Sequence, residues 1–163
     1  EEARKIINHG SLVAYDNKNL GFNFRMTEMQ AAIGTEQLKK IDIFNKKRIE
    51  NANVLSEMLE SVKGIVLPVV MHGRKHVFHQ YTIKVIASKR SRIIDELKKN
   101  DIGFGIYYPR PIHKQDFFLG LGYRDSLPVS ERLSEEVLSL PIHPKVTYQD
   151  LEKIASCIKA AIA

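Results

Sequence analysis

The segment Tyr107-Tyr108-Pro109-Arg110-Pro111-Ile112-His113-Lys114-Gln115 concentrates groups that could do chemistry. Its spacing predicts a strand that ends in two prolines, and these prolines fix an extended loop. The loop presents Tyr, Arg, His, Lys and Gln together, and binding groups gather on loops of this kind. A structural turn is the alternative, but five polar groups on a rigid segment favour a site. Leu140-Pro141-Ile142-His143-Pro144 is a second proline-bracketed histidine, read as a structural loop leading into the last helix. His72, His76 and His79 invite a metal reading. On a strand, however, His76 and His79 have opposite parity and point to opposite faces. No neighbouring cysteine or carboxylate completes a site, so no metal is expected. His79 falls on the apolar face of its expected strand, as a hydrogen-bonded core histidine or a functional one.

Other chemistries lack their motifs. Gly103-Phe104-Gly105 and Gly120-Leu121-Gly122 have neither the third glycine of a dinucleotide fingerprint nor the Gly-Lys-Ser/Thr of a phosphate loop. There is no G-x-S-x-G elbow. Cys157 sits in a helical pattern one turn from its apolar stripe, where a small buried hydrophobe is the expected role.

These groups must be positioned by a chain of 163 residues, a single-domain length, with 44% hydrophobic and 27% charged residues and a mean hydropathy of −0.23. That composition excludes a disordered chain, a collagen and a disulfide scaffold. The single cysteine forms no internal bridge, so a reducing, cytoplasmic setting is expected. No apolar run approaches the ~18 residues of a membrane span. The net charge is +6, from 25 basic and 19 acidic residues, which favours anionic partners. The basic residues are scattered in pairs, and no zinc-finger spacing or RNA-binding motif accompanies them, so nucleic acid is not the expected partner.

The element pattern is α/β or α+β with a small sheet. Ala3, Ile6 and Ile7 end a short helix at His9-Gly10, and a polar loop follows to residue 26. Thr27-Glu28-Met29-Gln30 is a capping box that opens a helical run over residues 27–62. Leu55, Met58, Leu59 and Val62 keep the helical period, whereas Ile41-Asp42-Ile43-Phe44 disturb it, which predicts a bend or joint. A long bent helix of this kind commonly bridges two domains. Beyond it come an edge strand over 65–70, demoted by Pro68, and a strand over 77–86 with Val77, His79, Tyr81, Ile83 and Val85 on one face. A helix over 91–100, a strand over 102–108, a helix over 128–138 and a last helix opened by Thr147 complete the pattern.

The ordered motifs carry a resemblance. Gly21-Phe22-Asn23-Phe24-Arg25-Met26-Thr27-Glu28-Met29-Gln30-Ala31-Ala32-Ile33-Gly34, then Gln37-Leu38, resembles the G-x-N-x-R-M-(T/S)-E-x-Q-A-A-(I/L)-G…Q-L block of the PLP-dependent sugar aminotransferases of the DegT/DnrJ/StrS type. His76-Val77-Phe78-His79-Gln80-Tyr81 resembles the family's H-x-Y segment, and residues 107–115 its Y-P-x-P-x-H-x-Q loop. Leu127-Pro128-Val129-Ser130-Glu131 and Leu138-Ser139-Leu140-Pro141-Ile142-His143-Pro144 resemble its last two motifs.

The resemblance implies a fold-type I enzyme. Residues 1–26 would be the tail of a large pyridoxal-phosphate domain and an active-site loop, 27–62 a bridging helix, and 63–163 a small C-terminal domain with a mostly antiparallel sheet and flanking helices. It implies a homodimer with sites at the subunit interface, a nucleotide-linked keto-sugar as substrate, and glutamate as the amino donor. Asn23 and Arg25 would bind the cofactor, and His79, Tyr108 and His113 would line the sugar side. A guanidinium suits phosphate or carboxylate, and the positive charge suits a diphosphate. A PLP-dependent sugar dehydratase of the same family, with histidine in place of the family's Schiff-base lysine, and a stand-alone regulatory or binding module are the alternatives.

The family's Schiff-base lysine lies farther upstream of the G-x-N-x-R-M block than this chain extends, so no catalytic residue is assigned here. Lys5 and Lys18 are the only lysines before Asn23, and neither has the family context. The 163-residue polypeptide is therefore expected to be inactive and to bind pyridoxal phosphate weakly or not at all. Spectrophotometric titration checks this. A stable cofactor absorbance that disappears on substitution of a single lysine would contradict it.

Overall fold

The computed structural model describes residues 1–162. The chain divides into two compact units, Glu1–Asp42 and Ile43–Ala163.

In the first unit, α1 (Glu2–Ile6) leads into a loop that folds back on it, and α2 (Glu28–Leu38) follows. The loop is held by Phe22 N–H to the Ile6 carbonyl at 2.6 Å, His9 N–H to the Phe22 carbonyl at 2.9 Å and Phe24 N–H to the Ile7 carbonyl at 3.1 Å. This return needs glycine at two points. Gly10 has φ +78°, and a Cβ there would lie 1.6 Å from the Asn19 carbonyl oxygen. A Cβ on Gly21 would lie 1.9 Å from the Gly10 nitrogen. The capping box forms as the sequence predicts: Gln30 N–H donates to Thr27 Oγ1, and Thr27 N–H donates to Gln30 Oε1 at 2.9 Å. α2 buries no residue, and Met29, Ile33 and Leu38 are exposed.

The expected run over 27–62 is two helices rather than one bent helix. α2 ends at Leu38, Lys40 N–H turns back to the Gln37 carbonyl, and α3 spans Ile41–Leu59. The break lies just before the residues that disturb the period.

In the second unit, β1 (Ile65–Val66), β2 (Tyr81–Val85) and β3 (Val137–Leu140) form an antiparallel sheet in the order β1-β2-β3. The register pairs Tyr81 with Leu140, Thr82 with Ser139 and Ile83 with Leu138. The helices α4 (Ala87–Lys99), α5 (Asp116–Gly120), α6 (Pro128–Glu136) and α7 (Tyr148–Ile162) complete this α+β unit, with a 3₁₀ turn at Ile112–Lys114. One core joins Leu55 and Leu59 of α3, Tyr81, Ile83 and Val85 of β2, Ile93 and Leu97 of α4, and Leu151, Ile154 and Ile158 of α7. Each fully buried Leu or Ile contributes about 1.5–3 kcal/mol relative to an exposed one. Cys157 is buried on α7, and burial raises its thiol pKa. Among the described residues no helix is long and apolar enough to cross a membrane.

The edge strand expected over 65–70 is reduced to Ile65–Val66, and the helix expected over 91–100 starts earlier, at Ala87. Three further expectations change. The strand predicted over 77–86 begins only at Tyr81. Phe78 takes φ +49°, and its N–H is held by His76 Nδ1 at 2.8 Å instead of a ladder partner. The positive φ breaks the period of two, so Phe78 enters the core while Val77 and His79 are exposed. The strand predicted over 102–108 is reduced to one bridge, in which Gly105 exchanges both backbone bonds with Ser139 at 2.9 and 2.7 Å. Glycines at 103 and 105 weaken strand pairing there. The helix predicted over 128–138 stops at Glu136, and residues 137–140 form β3, which was expected as helix end and loop. Pro141 ends that strand.

The 141–147 loop is tied to α3 by Asn51, whose buried side chain donates to the carbonyls of His143 and Val146, each at 3.3 Å. That carbonyl role is structural, as expected for the His143 loop. Asn51→Ala should destabilise the chain by about 1–3 kcal/mol, because buried acceptors lose their donor. Urea unfolding checks this, and an unchanged midpoint would contradict it.

Candidate functional site

The second unit carries a cleft of about 930 Å³, within the range of small-molecule sites. One wall is the loop from Tyr107 to Gln115, and the other is formed by Leu127, Ser130, Leu133 and Val137 at α6 and the start of β3. Phe118 and Tyr123 add aromatic surface, their rings edge-to-face at 5.9 Å. Pro111 is extended at φ −62° and ψ 152°, but bends at Pro109 and Arg110 and the 3₁₀ turn at Ile112–Lys114 interrupt the extended loop that the two prolines predict.

Two of the loop's polar groups hold the loop itself and two tie it to α6. Arg110 Nη2 pairs with Asp116 Oδ1 at 2.6 Å and lowers that carboxyl's pKa, while Gln115 Nε2 donates to the Arg110 carbonyl at 3.1 Å. Lys114 Nζ lies 3.5 Å from Glu131 Oε1. His113 is buried, and its Nε2 meets the same Glu131 oxygen at 2.9 Å. Tyr108 remains exposed on the cleft wall. The structure thus brings Tyr108 and His113 together.

His79 sits elsewhere. It lines a cleft of about 250 Å³ with Gly103, Gly105 and the 139–143 segment, and a third hollow of about 290 Å³ with Pro68, His76 and Thr82. Tyr107 lines both the small cleft and the large one. Its ring lies over Gly105, where a Cβ would come within 2.4 Å of it. The glycine therefore lets this aromatic wall close down on the backbone. His79 is exposed, so it is not the core histidine that strand parity suggested.

Asn23 and Arg25 lie in the first unit, on the returning loop. Phe22 and Phe24 stack at 4.9 Å on one side of the extended segment, which turns Asn23 and Arg25 to the other. Asn23 bridges Asn8, and Arg25 Nη2 donates to Asn8 Oδ1 at 3.4 Å. An exposed amide and an exposed guanidinium on one side of a loop form a donor set that fits a phosphate or carboxylate. Among the described residues no group of three or more His, Cys, Asp or Glu could hold a metal ion.

Sequence reasoning missed Glu131. Its carboxylate is held down to about 2, first by the His113 hydrogen bond and then by the Leu127 N–H at 3.0 Å, with Lys114 adding to the effect. A proline at the first position of α6 followed by a first-turn carboxylate is the signal that marks it.

The DegT/DnrJ/EryC1/StrS aminotransferase family matches residues 1–159. A pleiotropic regulatory protein of Geobacillus stearothermophilus is 40% identical over 162 residues, covering 95% of this chain and 43% of that protein. A UDP-N-acetyl-3-dehydro-alpha-D-glucosamine 3-aminotransferase of Acidithiobacillus ferrooxidans is 35% identical over 98% of this chain and 42% of its own length. The crystal structure of NtdA from Bacillus subtilis, with bound cofactor PMP, superposes with a TM-score of 0.83 at 29% identity, over 97% of this chain and 38% of that one. The chain thus spans about two-fifths of the length of these relatives.

The depressed Glu131 pKa sets an acid limit. Its folded value of about 2 lies below the ordinary 4.5, so the unfolded state binds the proton first. Its contribution is complete above about 4.5 and is lost as pH falls toward 2. Glu131→Gln should flatten the decline of the unfolding midpoint across that window. Identical pH slopes for both proteins would contradict the assignment.

Proposed function

The chain belongs to the DegT/DnrJ/EryC1/StrS aminotransferase family, and from that premise we propose that it is the C-terminal part of an enzyme that aminates a nucleotide-linked keto-sugar. The observation that carries the reading is the cleft of about 930 Å³ in which Tyr108 and His113 meet, on a chain that matches the family over residues 1–159. Its aromatic walls suit the faces of a sugar, and its polar tips suit hydroxyls. His79 contributes from the neighbouring cleft beyond Tyr107.

Asn23 and Arg25 would hold the phosphate of pyridoxal phosphate, the amide as an uncharged donor and the guanidinium as a charged one. When bound, the cofactor supplies the electron sink for amino transfer, and the protein supplies orientation. The donor of the amino group is glutamate. The net charge of +6 attracts the diphosphate of the substrate. Homodimerisation is supported by the apolar side chains that the first unit leaves exposed, among them Leu20, Phe24, Met26 and Met29. The regulatory relative from Geobacillus favours a second reading, a regulatory module that binds the sugar nucleotide without aminating it.

The test uses the full-length protein that contains this chain, with pyridoxal phosphate, glutamate and UDP- or dTDP-linked 3-keto-hexoses. Mass spectrometry should find the amino sugar. Tyr108→Ala and His113→Ala should each raise KM about tenfold, the equivalent of one lost hydrogen bond. Binding of the sugar nucleotide without amino transfer would favour the regulatory reading. Unaltered kinetics in both variants would remove the cleft from the mechanism.

A further inference from the structure

A single carboxylate oxygen joins both walls of the large cleft. Glu131 Oε1 accepts from His113 Nε2 at 2.9 Å on the loop wall and from the Leu127 N–H at 3.0 Å at the start of α6. Lys114 Nζ, at 3.5 Å, adds a second tie to the loop. Glu131 therefore spaces the loop against α6, although it is not itself among the residues that line the cleft.

The chemistry of the pair decides which nitrogen of His113 carries the proton. An ionised carboxylate only accepts, so Nε2 must be the N–H that meets it. In the neutral ring the lone pair then resides on Nδ1. His113 Nδ1 has no hydrogen bond to any described residue. Among the described residues, every sealed side-chain nitrogen or oxygen has a partner. Nδ1 therefore keeps an opening, and His113 lines the cleft.

We propose that Glu131 is a positioning residue that locks His113 as the Nε2–H tautomer, so that Nδ1 offers a hydrogen-bond acceptor to a ligand in the cleft. The inference rests on the reading of the cleft as the sugar side. It assigns the cleft a preference: at the position facing His113, the ligand presents a donor, a hydroxyl or an N–H, rather than a carbonyl or an ether oxygen. A carbonyl there would meet a lone pair and lose a hydrogen bond on both sides. The keto carbon of the substrate is therefore directed away from His113, and a sugar hydroxyl is directed toward it.

Long-range ¹H–¹⁵N NMR of the chain at a pH above the histidine range reads the tautomer directly. The wild-type spectrum should show a pyrrole-type Nε2 and a pyridine-type Nδ1 for His113. Glu131→Gln should lose this single-tautomer pattern, because an amide can donate as well as accept. A mixed or Nδ1–H form in the wild type overturns the proposal, and that measurement needs no variant to fold. In the full-length enzyme, Glu131→Gln should raise KM for the keto-sugar about tenfold with kcat nearly unchanged. An unmoved KM beside a disturbed tautomer also overturns it. Failure of the wild-type enzyme to transfer any amino group would defeat the aminotransferase reading, while the NMR pattern still decides the role of Glu131.

Discussion

The pairing of Tyr81–Val85 with Val137–Leu140 constrains everything built around it. Burial of Tyr81, Ile83 and Val85 fixes which face of β2 meets the core, and the period of two then sends Thr82 and Lys84 the other way. Thr82 Oγ1 and Ser139 Oγ meet across the strands at 2.7 Å on that second face, so the register is read twice, by the apolar and by the polar side chains. From this pair of strands the chain reaches both clefts. The segment before Tyr81 brings His79 to the small one. The bridge from Ser139 to Gly105 sets the root of the Tyr107–His113 loop, and the residues before β3 form α6 and carry Glu131. Tyr81 anchors its own end of the strand through its hydroxyl, 2.7 Å from Ser56 Oγ on α3, in surroundings that raise its pKa.

The starts of α2 and α7 and the buried spacing of α3 were legible because their signals are local, whereas α5 was not read. The Thr27 capping box, the Leu55–Leu59 spacing and the apolar stripe of α7 all act within one or two turns, and the Thr147–Asp150 pair forms a second box that opens α7. The sheet was less legible because its determinants are distant. Val77 and His79 fit the alternation of β2, but a positive φ at Phe78 and its bond to His76 shift the phase by one residue. β3 is a short apolar run that adjoins a helix, and its distant partners on β2 and at Gly105 give it strand geometry. The strand expected over 102–108 survives only as the bridge at Gly105, over which the Tyr107 ring lies. The site shows the same division. The proline-framed loop with Tyr108 and His113 was readable, whereas the local signal at Glu131 marks only a helix start and not its hydrogen bond to His113, 18 residues away.

The loop's polarity also has a different use from the one its composition suggested. Arg110, Lys114 and Gln115 spend their donors on Asp116, Glu131 and the Arg110 carbonyl. The exposed Arg110–Asp116 pair adds little stability in water, but it closes the loop on itself. The side chains left to a ligand are Tyr107, Tyr108 and the open edge of His113, a smaller and more aromatic set. In the first unit the division of labour is similar: Asn8 engages both Ser11 and Arg25, while α2 leaves its apolar side chains uncovered.

The most direct test of this account is a crystal structure of the full-length protein with a nucleotide-linked hexose. The sugar ring should lie in the cleft between the Tyr107–Gln115 loop and α6, with a hydroxyl donating to His113 Nδ1 and Tyr108 against the ring. A hexose bound elsewhere, with Tyr108 and His113 untouched, would contradict it.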